Sequence, residues 1–269
     1  MHPHRQIILI MEKKEQSTNQ NRIMLTVSYD GTNYSGWAYQ ENVPTIEGAL
    51  NAAIKELTGE ELQVIGASRT DAGVHAYGNL AVFDTKSTIP PDRFIYALNP
   101  HLPKDIRIVK SQKVAPDFHP RHCDTIKTYE YHVLNTDYEV PVKRNYTYHF
   151  GMKLDIDKMN QAAKYFEGEH DFTSFCNVES QALTHVRTVY EVNVRREQEE
   201  VIITVKGAGF LYNMVRIMSG TLLQIGRGKG EPSDIKTMLE AKDRTKAGPT
   251  APAQGLFLIR YEFPSGIPE

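Results

Sequence analysis

The order of hydrophobic periodicities over residues 22–114 constrains the fold more than any other feature. Arg22–Tyr29 alternates apolar and polar side chains and places Ile23, Leu25 and Val27 on one face, the pattern of a half-buried strand. Thr45 then stands as an N-cap before Ile46, Ala49, Leu50, Ala53, Ile54 and Leu57, whose three- and four-residue spacing predicts an amphipathic helix. Two strands, Leu62–Ala67 and Gly78–Thr85, a short helix over Pro90–Leu98 and a strand over Asp105–Val114 complete the series. A β-α-β-β-α-β order folds into a helix-backed sheet of the ferredoxin-like kind, a frame that RNA-recognition modules also use.

The segment Pro116–His122 carries two prolines and marks the boundary with a second half. There, strands are predicted over Ile126–Leu134, Tyr146–Phe150, Val186–Arg195, Val201–Lys206 and Leu256–Phe263. A helix over Asp155–Phe166 precedes the hairpin at Glu197–Glu200, and two helices follow it. The expected class is α+β: two ferredoxin-like, RRM-like α/β subdomains, 22–118 and 119–269, with helix-backed mixed sheets and a central cleft between them. Residues 1–21 hold one apolar run, Ile7–Met11, too short to span a membrane or to form a signal-peptide core, and then a polar tract. They read as a flexible extension, with Met11 and Met24 as candidate starts, and no membrane association is expected.

The formal net charge of −2 excludes a uniformly basic surface, so any RNA contact must use a local patch. Two cysteines, Cys123 and Cys176, are too few for a disulfide framework, and the default setting is a reducing cytoplasm. His119, His122 and Cys123 lie close in sequence, but on a Pro-containing turn they do not read as a metal site.

Chemistry concentrates in the loop Ser68-Arg69-Thr70-Asp71-Ala72-Gly73-Val74-His75, between two predicted strands. Ala-Gly after Asp71 permits a sharp turn that faces the carboxylate outward; the plainer alternative is an ordinary Asx-turn. The loop Tyr34–Gln40 holds two tyrosines and the only tryptophan, suited equally to stacking on a base or to plugging the core. The helix Phe210–Ile225 is apolar nearly all round yet contains Arg216, with Asn213 and Gly220 on the same stripe. A guanidinium so placed needs a carboxylate partner or the wall of a polar cleft; snorkelling to water is the bland alternative. Tyr129 and Tyr131 share one face of their strand, where packing is the usual role, but a cleft-facing Tyr129 offers a flat ring to a base. The long loop Arg244–Gly255 delivers Leu256 into the last strand, and loops of that length inside a domain usually have a function.

Five of these stretches, in order, resemble the tRNA pseudouridine synthase A family: Tyr29-Asp30-Gly31-Thr32, Arg69-Thr70-Asp71-Ala72-Gly73-Val74-His75-Ala76 with Gly78, Asp171-Phe172-Thr173-Ser174-Phe175, Asn213-Met214-Val215-Arg216 and Ala247-Gly248-Pro249-Thr250-Ala251-Pro252. The likeness runs from about Arg22 to Phe263. It implies a cofactor-free isomerase, with no metal, that converts uridine to pseudouridine at positions 38, 39 and 40 of the tRNA anticodon stem-loop. It implies that Asp71 is the essential catalytic residue and that Arg69 holds the target nucleotide flipped out. Tyr129 would stack on the uracil, Arg216 would pair with Asp71, and Leu256 would pack the pocket. Family members are homodimers in which one tRNA touches both subunits. Three positions depart from the usual pattern: Ser68 stands where a glycine is common, Asn79 where a Gln is usual, and Ala38 where a Gln follows Gly-Trp.

The residue types suit that reaction. Breaking the C1′–N1 bond and making a C1′–C5 bond involves no net redox change, so one carboxylate can serve. It can act as a nucleophile at C6 or C1′, or as a base at C2′, and the sequence does not choose among them. Extruding a stacked base costs roughly a few kcal/mol, which Arg69 in the vacated space and stacking on Tyr129 would offset. The competing readings are a catalytically inactive RNA-binding protein of the same fold and a metal-dependent hydrolase using Asp30, Asp71 and histidines. Phosphate contacts are expected from Arg187, Arg195, Arg196, Arg227, Lys229, Arg244 and Lys246.

Overall fold

A computed structural model describes residues 20–267. The extension expected over residues 1–21 lies outside that range except for Gln20 and Asn21, and Asn21 already opens the first strand. In the first half the elements are β1 (Asn21–Tyr29), α1 (Ile46–Thr58), β2 (Ile65–Gly66), β3 (His75–Thr85), α2 (Phe94–Leu98) and β4 (Ile106–Lys113). In the second they are β5 (Ile126–Leu134), β6 (Tyr148–His149), α3 (Ile156–Ala163), β7 (Gly168–Asp171), β8 (Val186–Glu197), β9 (Glu200–Gly207), α4 (Met214–Gly226), α5 (Asp234–Ala241) and β10 (Leu256–Glu262).

Local chemistry sets the helix ends. Thr45 Oγ1 accepts from the Gly48 amide at 3.2 Å to start α1, and Asp155 Oδ1 accepts from the Lys158 amide at 2.9 Å to start α3. Helix α4 begins differently. Its N-cap, Asn213, is held at φ 60° and its side chain caps nothing, because it is engaged elsewhere.

The ten strands form one sheet in the order β4-β1-β3-β10-β5-β9-β8-β7, with β2 on β3 and β6 on β5. The class is α+β as expected, and the two halves join edge to edge in a continuous sheet. The strand expected over Leu62–Ala67 is reduced to two residues. Strand β2 pairs with β3 only at Val82 and Ala81, while His75 and Ala76 at the other end of β3 take Phe257 and Leu258 of β10 in parallel. Strands β2 and β10 thus lie along the same edge of β3, at opposite ends. The loop from residue 67 to 74 therefore emerges where the two halves meet.

One face of the sheet carries the helices and the main core, in which Ile23, Leu25 and Val27 pack with Leu50, Ile54 and Phe94, continuing into Met218 and Leu222 of α4. A smaller cluster of Met24, Ala67, Leu80, Val82, Val114 and Phe118 covers the opposite face. Each fully buried side chain of this size contributes roughly 1.5–3 kcal/mol, so the main core holds α4 firmly. Only Arg216 and Gln224 of that helix keep partial exposure. Trp37 is buried in the core. It plugs the fold and does not present a stacking face. Among the described residues no helix is long and apolar enough to cross a membrane.

Candidate active site

The loop between β2 and β3 turns on its backbone. The Val74 amide donates to the Asp71 carbonyl at 3.1 Å, and Gly73 sits at φ 76°, the positive value a type II turn requires at its third position. The turn is thus closed by main chain and not by an Asx contact, which leaves the Asp71 carboxylate free. The segment Tyr34–Gln40 supports it: the Trp37 amide donates to the Thr70 carbonyl at 3.0 Å, and the Gly73 amide to the Tyr34 carbonyl at 3.3 Å.

Arg216 meets that carboxylate. Its Nη1 donates to Asp71 Oδ2 at 3.0 Å and to Asn213 Oδ1 at 2.8 Å, and its Nε donates to the Ala251 carbonyl at 2.8 Å. The αL backbone of Asn213 aims its side chain at the guanidinium, so the strained N-cap is part of the site. The loop after α5 lies against α4 at Gly220, where an added Cβ would stand 1.9 Å from the Pro249 carbonyl oxygen. That approach brings Ala251 to Arg216. Both side chains of the pair are less than one-fifth exposed. Burial raises the Asp71 carboxyl above the ordinary aspartate value, and Arg216 opposes this without cancelling it.

The pair lines a cavity of about 590 Å³ that also receives Arg69, Tyr129 and Leu256. All five residues singled out in the sequence are therefore brought to one place. Arg69 is exposed and makes no ion pair among the described residues. Leu256, the first residue of β10, is buried in the cavity wall. Tyr129 is nearly buried, with the Phe210 ring edge-on at 5.3 Å and its hydroxyl donating to Ser68 Oγ at 3.4 Å. Burial pushes its phenol up to about 12, against the Ser68 hydrogen bond. It is protonated at neutral pH.

Ser68 and Asn79 touch one another. Asn79 Nδ2 donates to the Ser68 carbonyl at 2.9 Å, its Oδ1 accepts from the Ser68 amide at 3.3 Å, and Ser68 Oγ also accepts from the Tyr261 hydroxyl. Asn79 Nδ2 further donates to the Tyr29 hydroxyl, which bonds Thr70 Oγ1 at 2.7 Å. A buried hydroxyl network thus underlies the loop.

The expected phosphate contacts fare differently. Arg195 is held by Glu130 at 3.1 Å and Glu197 at 2.7 Å, and Arg244 folds back on the Gly248 carbonyl at 2.9 Å. Of the seven, only Arg187 lines the cavity, beside Arg121 and Lys127, which sequence reasoning missed. The one available signal was that Lys127 shares a strand face with Tyr129. Among the described residues no group of three His, Cys, Asp or Glu side chains could hold a metal ion.

The family model described as tRNA pseudouridine synthase matches residues 25–122 and 162–264. A tRNA pseudouridine synthase A of Clostridium acetobutylicum is 48% identical over 241 residues, covering 90% of this chain and 99% of the relative. That of Acetivibrio thermocellus is also 48% identical over 241 residues, with the same coverage. That of Thermoanaerobacter sp. is 46% identical over 238 residues, 88% of this chain and 98% of the relative. Likeness to solved structures is slight: the archaeal box H/ACA sRNP Nop10-Cbf5 complex has a chain that matches 84% of this one, and 60% of its own length, at 14% identity and a TM-score of 0.35. The sequence matches carry the assignment, and by them this chain belongs to the tRNA pseudouridine synthase family.

Proposed function

We propose that this protein isomerises uridine to pseudouridine in tRNA, at positions 38, 39 and 40 of the anticodon stem-loop, with the Asp71 carboxylate as its catalytic group. The observation that carries this reading is the Arg216–Asp71 pair at 3.0 Å, in the cavity that also holds the Tyr129 ring. A uracil extruded from its stem and stacked on Tyr129 gains about 1–3 kcal/mol, against an extrusion cost of a few kcal/mol. Exposed Arg69 reaches from the cavity rim toward the space the base leaves. Arg216 orients the carboxylate and opposes its protonation, and Leu256 closes the apolar wall. The intact Asp71, Tyr129 and Arg216 favour an active enzyme over a protein that only binds RNA.

The same reading treats the chain as two α/β subdomains, 22–118 and 119–269, meeting at β3 and β10, and as a homodimer in which one tRNA touches both copies. It places the protein in the cytoplasm, the setting of tRNA modification. Mapping pseudouridine in tRNA from cells with and without the gene tests the position assignment: loss at 38–40 alone supports it, and unchanged modification there contradicts it. Sedimentation at micromolar concentration tests the dimer.

A further inference from the structure

Five cationic side chains line the cavity, Arg69, Arg121, Lys127, Arg187 and Arg216, against two carboxylates, Asp71 and Glu179. Arg216 is matched by Asp71. Among the described residues no carboxylate lies within ion-pair distance of Arg121, Lys127 or Arg187. Their positions are fixed by the fold. Arg121 Nε donates to the Gly66 carbonyl at 2.8 Å, and Arg187 Nη1 to the Thr184 carbonyl at 2.9 Å. Lys127 Nζ lies 5.5 Å over the Tyr261 ring. Burial, with the Arg187 and Arg121 charges beside it, holds the Lys127 ammonium below the ordinary lysine value. Three like charges gathered on one wall repel one another and favour an anion between them.

We infer that Arg121, Lys127 and Arg187 form a subsite for a phosphodiester adjoining the target nucleotide. This rests on the proposed tRNA isomerase reading and names the part of the substrate it grips. Lys127 lies two residues from Tyr129 on β5, on the same face and so about 7 Å away. A base stacked on Tyr129 has its own sugar between it and the flanking phosphate, which places that phosphate at Lys127. The cradle thus fixes the backbone while Tyr129 takes the base, and it recognises position without reading sequence.

The test uses an anticodon stem-loop RNA carrying one neutral methylphosphonate linkage, placed in turn on the 5′ and 3′ sides of the target uridine. Wild-type protein loses affinity about tenfold or more for one of the two. Lys127→Met and Arg187→Gln bind native RNA more weakly by a similar factor and no longer distinguish the linkages. The slope of log affinity against log salt falls by about 0.7 for each charge removed. Lys127→Arg keeps the charge and retains the discrimination, which guards against a folding defect in the methionine variant. Indifference of the wild type to both linkages, or undiminished discrimination in Lys127→Met, overturns the inference. Conversion of the native RNA is followed in the same samples. A wild type that discriminates linkages but forms no pseudouridine overturns the functional reading and leaves the cradle standing.

Discussion

The Asn79 carboxamide closes on the backbone of Ser68 from both sides, donating to its carbonyl at 2.9 Å and accepting from its amide at 3.3 Å. Ser68 in turn presents its hydroxyl to Tyr129 and Tyr261. Ser68 and Asn79 are therefore one unit, adjoining Arg69 in the chain and bonded to the ring expected to receive the base. A double-mutant cycle with Ser68→Ala and Asn79→Ala, whose side chains share the Tyr261 hydroxyl, should show a coupling energy above about 0.5 kcal/mol, read by urea denaturation. Additive effects would separate the two positions.

Asp71 titrates in a direction that activity can report. Burial raises its carboxyl and Arg216 opposes the rise. If, as proposed, the carboxylate is the working form, the conversion rate should fall on the acid side with an apparent pKa above the ordinary aspartate value. Arg216→Gln should lower the rate and move that limb to higher pH. A limb that stays in place contradicts the pairing. For stability the sign follows from proton binding: between the unfolded and folded pKa the native state keeps a proton that the unfolded chain releases. The contribution of this carboxyl to stability therefore falls as pH rises through that window.

Glu130 behaves oppositely. Its hydrogen bond with His132, and then Arg195, hold it at about 2 against the effect of burial. Its stabilising contribution is present above the ordinary glutamate value and is lost as pH falls toward about 2. Burial draws His132 down, but Glu130 and Glu200 outweigh it and raise the imidazole above its usual value. Glu130→Gln should cost about 1–3 kcal/mol in urea unfolding near pH 6, with the difference from wild type shrinking toward pH 3. A difference independent of pH would mean the pair contributes little.

Gly220 is required by the close approach of another chain segment. A Cβ there would meet the Pro249 carbonyl oxygen at 1.9 Å, and that oxygen belongs to backbone. Gly220→Ala should displace the loop through Ala251, withdraw the carbonyl that accepts from Arg216 Nε, and slow conversion about a hundredfold. The global cost should be about 1–3 kcal/mol, leaving a folded protein by circular dichroism. Wild-type turnover in this variant would show that the loop does not position Arg216.

The strands and helices were legible because burial on one face imposes its period directly, as with Ile23, Leu25 and Val27 or with the helix capped by Thr45. Arg216 was legible as a charge in an apolar helix that needed an acid. The short span of β2 was not, nor was the arrival of β10 on the same edge of β3 from nearly two hundred residues downstream, because pairing between distant segments leaves no local period. Lys127 and Arg121 were overlooked because a lone basic residue on a strand or turn reads as solvated. Their exposure is decided by Tyr261 and Gly66, contacts that sequence spacing does not reveal. Arg195 and Arg244 looked free for the same reason, yet Glu130 and the Gly248 carbonyl engage them.

On the proposed reading, Asp71 carries the chemistry while the rest of the cavity carries the binding. Asp71→Asn keeps the side-chain shape and removes the charge that faces Arg216. Equilibrium binding and single-turnover conversion, measured on the same tRNA, separate the two roles. Asp71→Asn should bind tRNA as the wild type does and form no pseudouridine; pseudouridine formed by Asp71→Asn at the wild-type rate would rule out a catalytic role for this carboxylate.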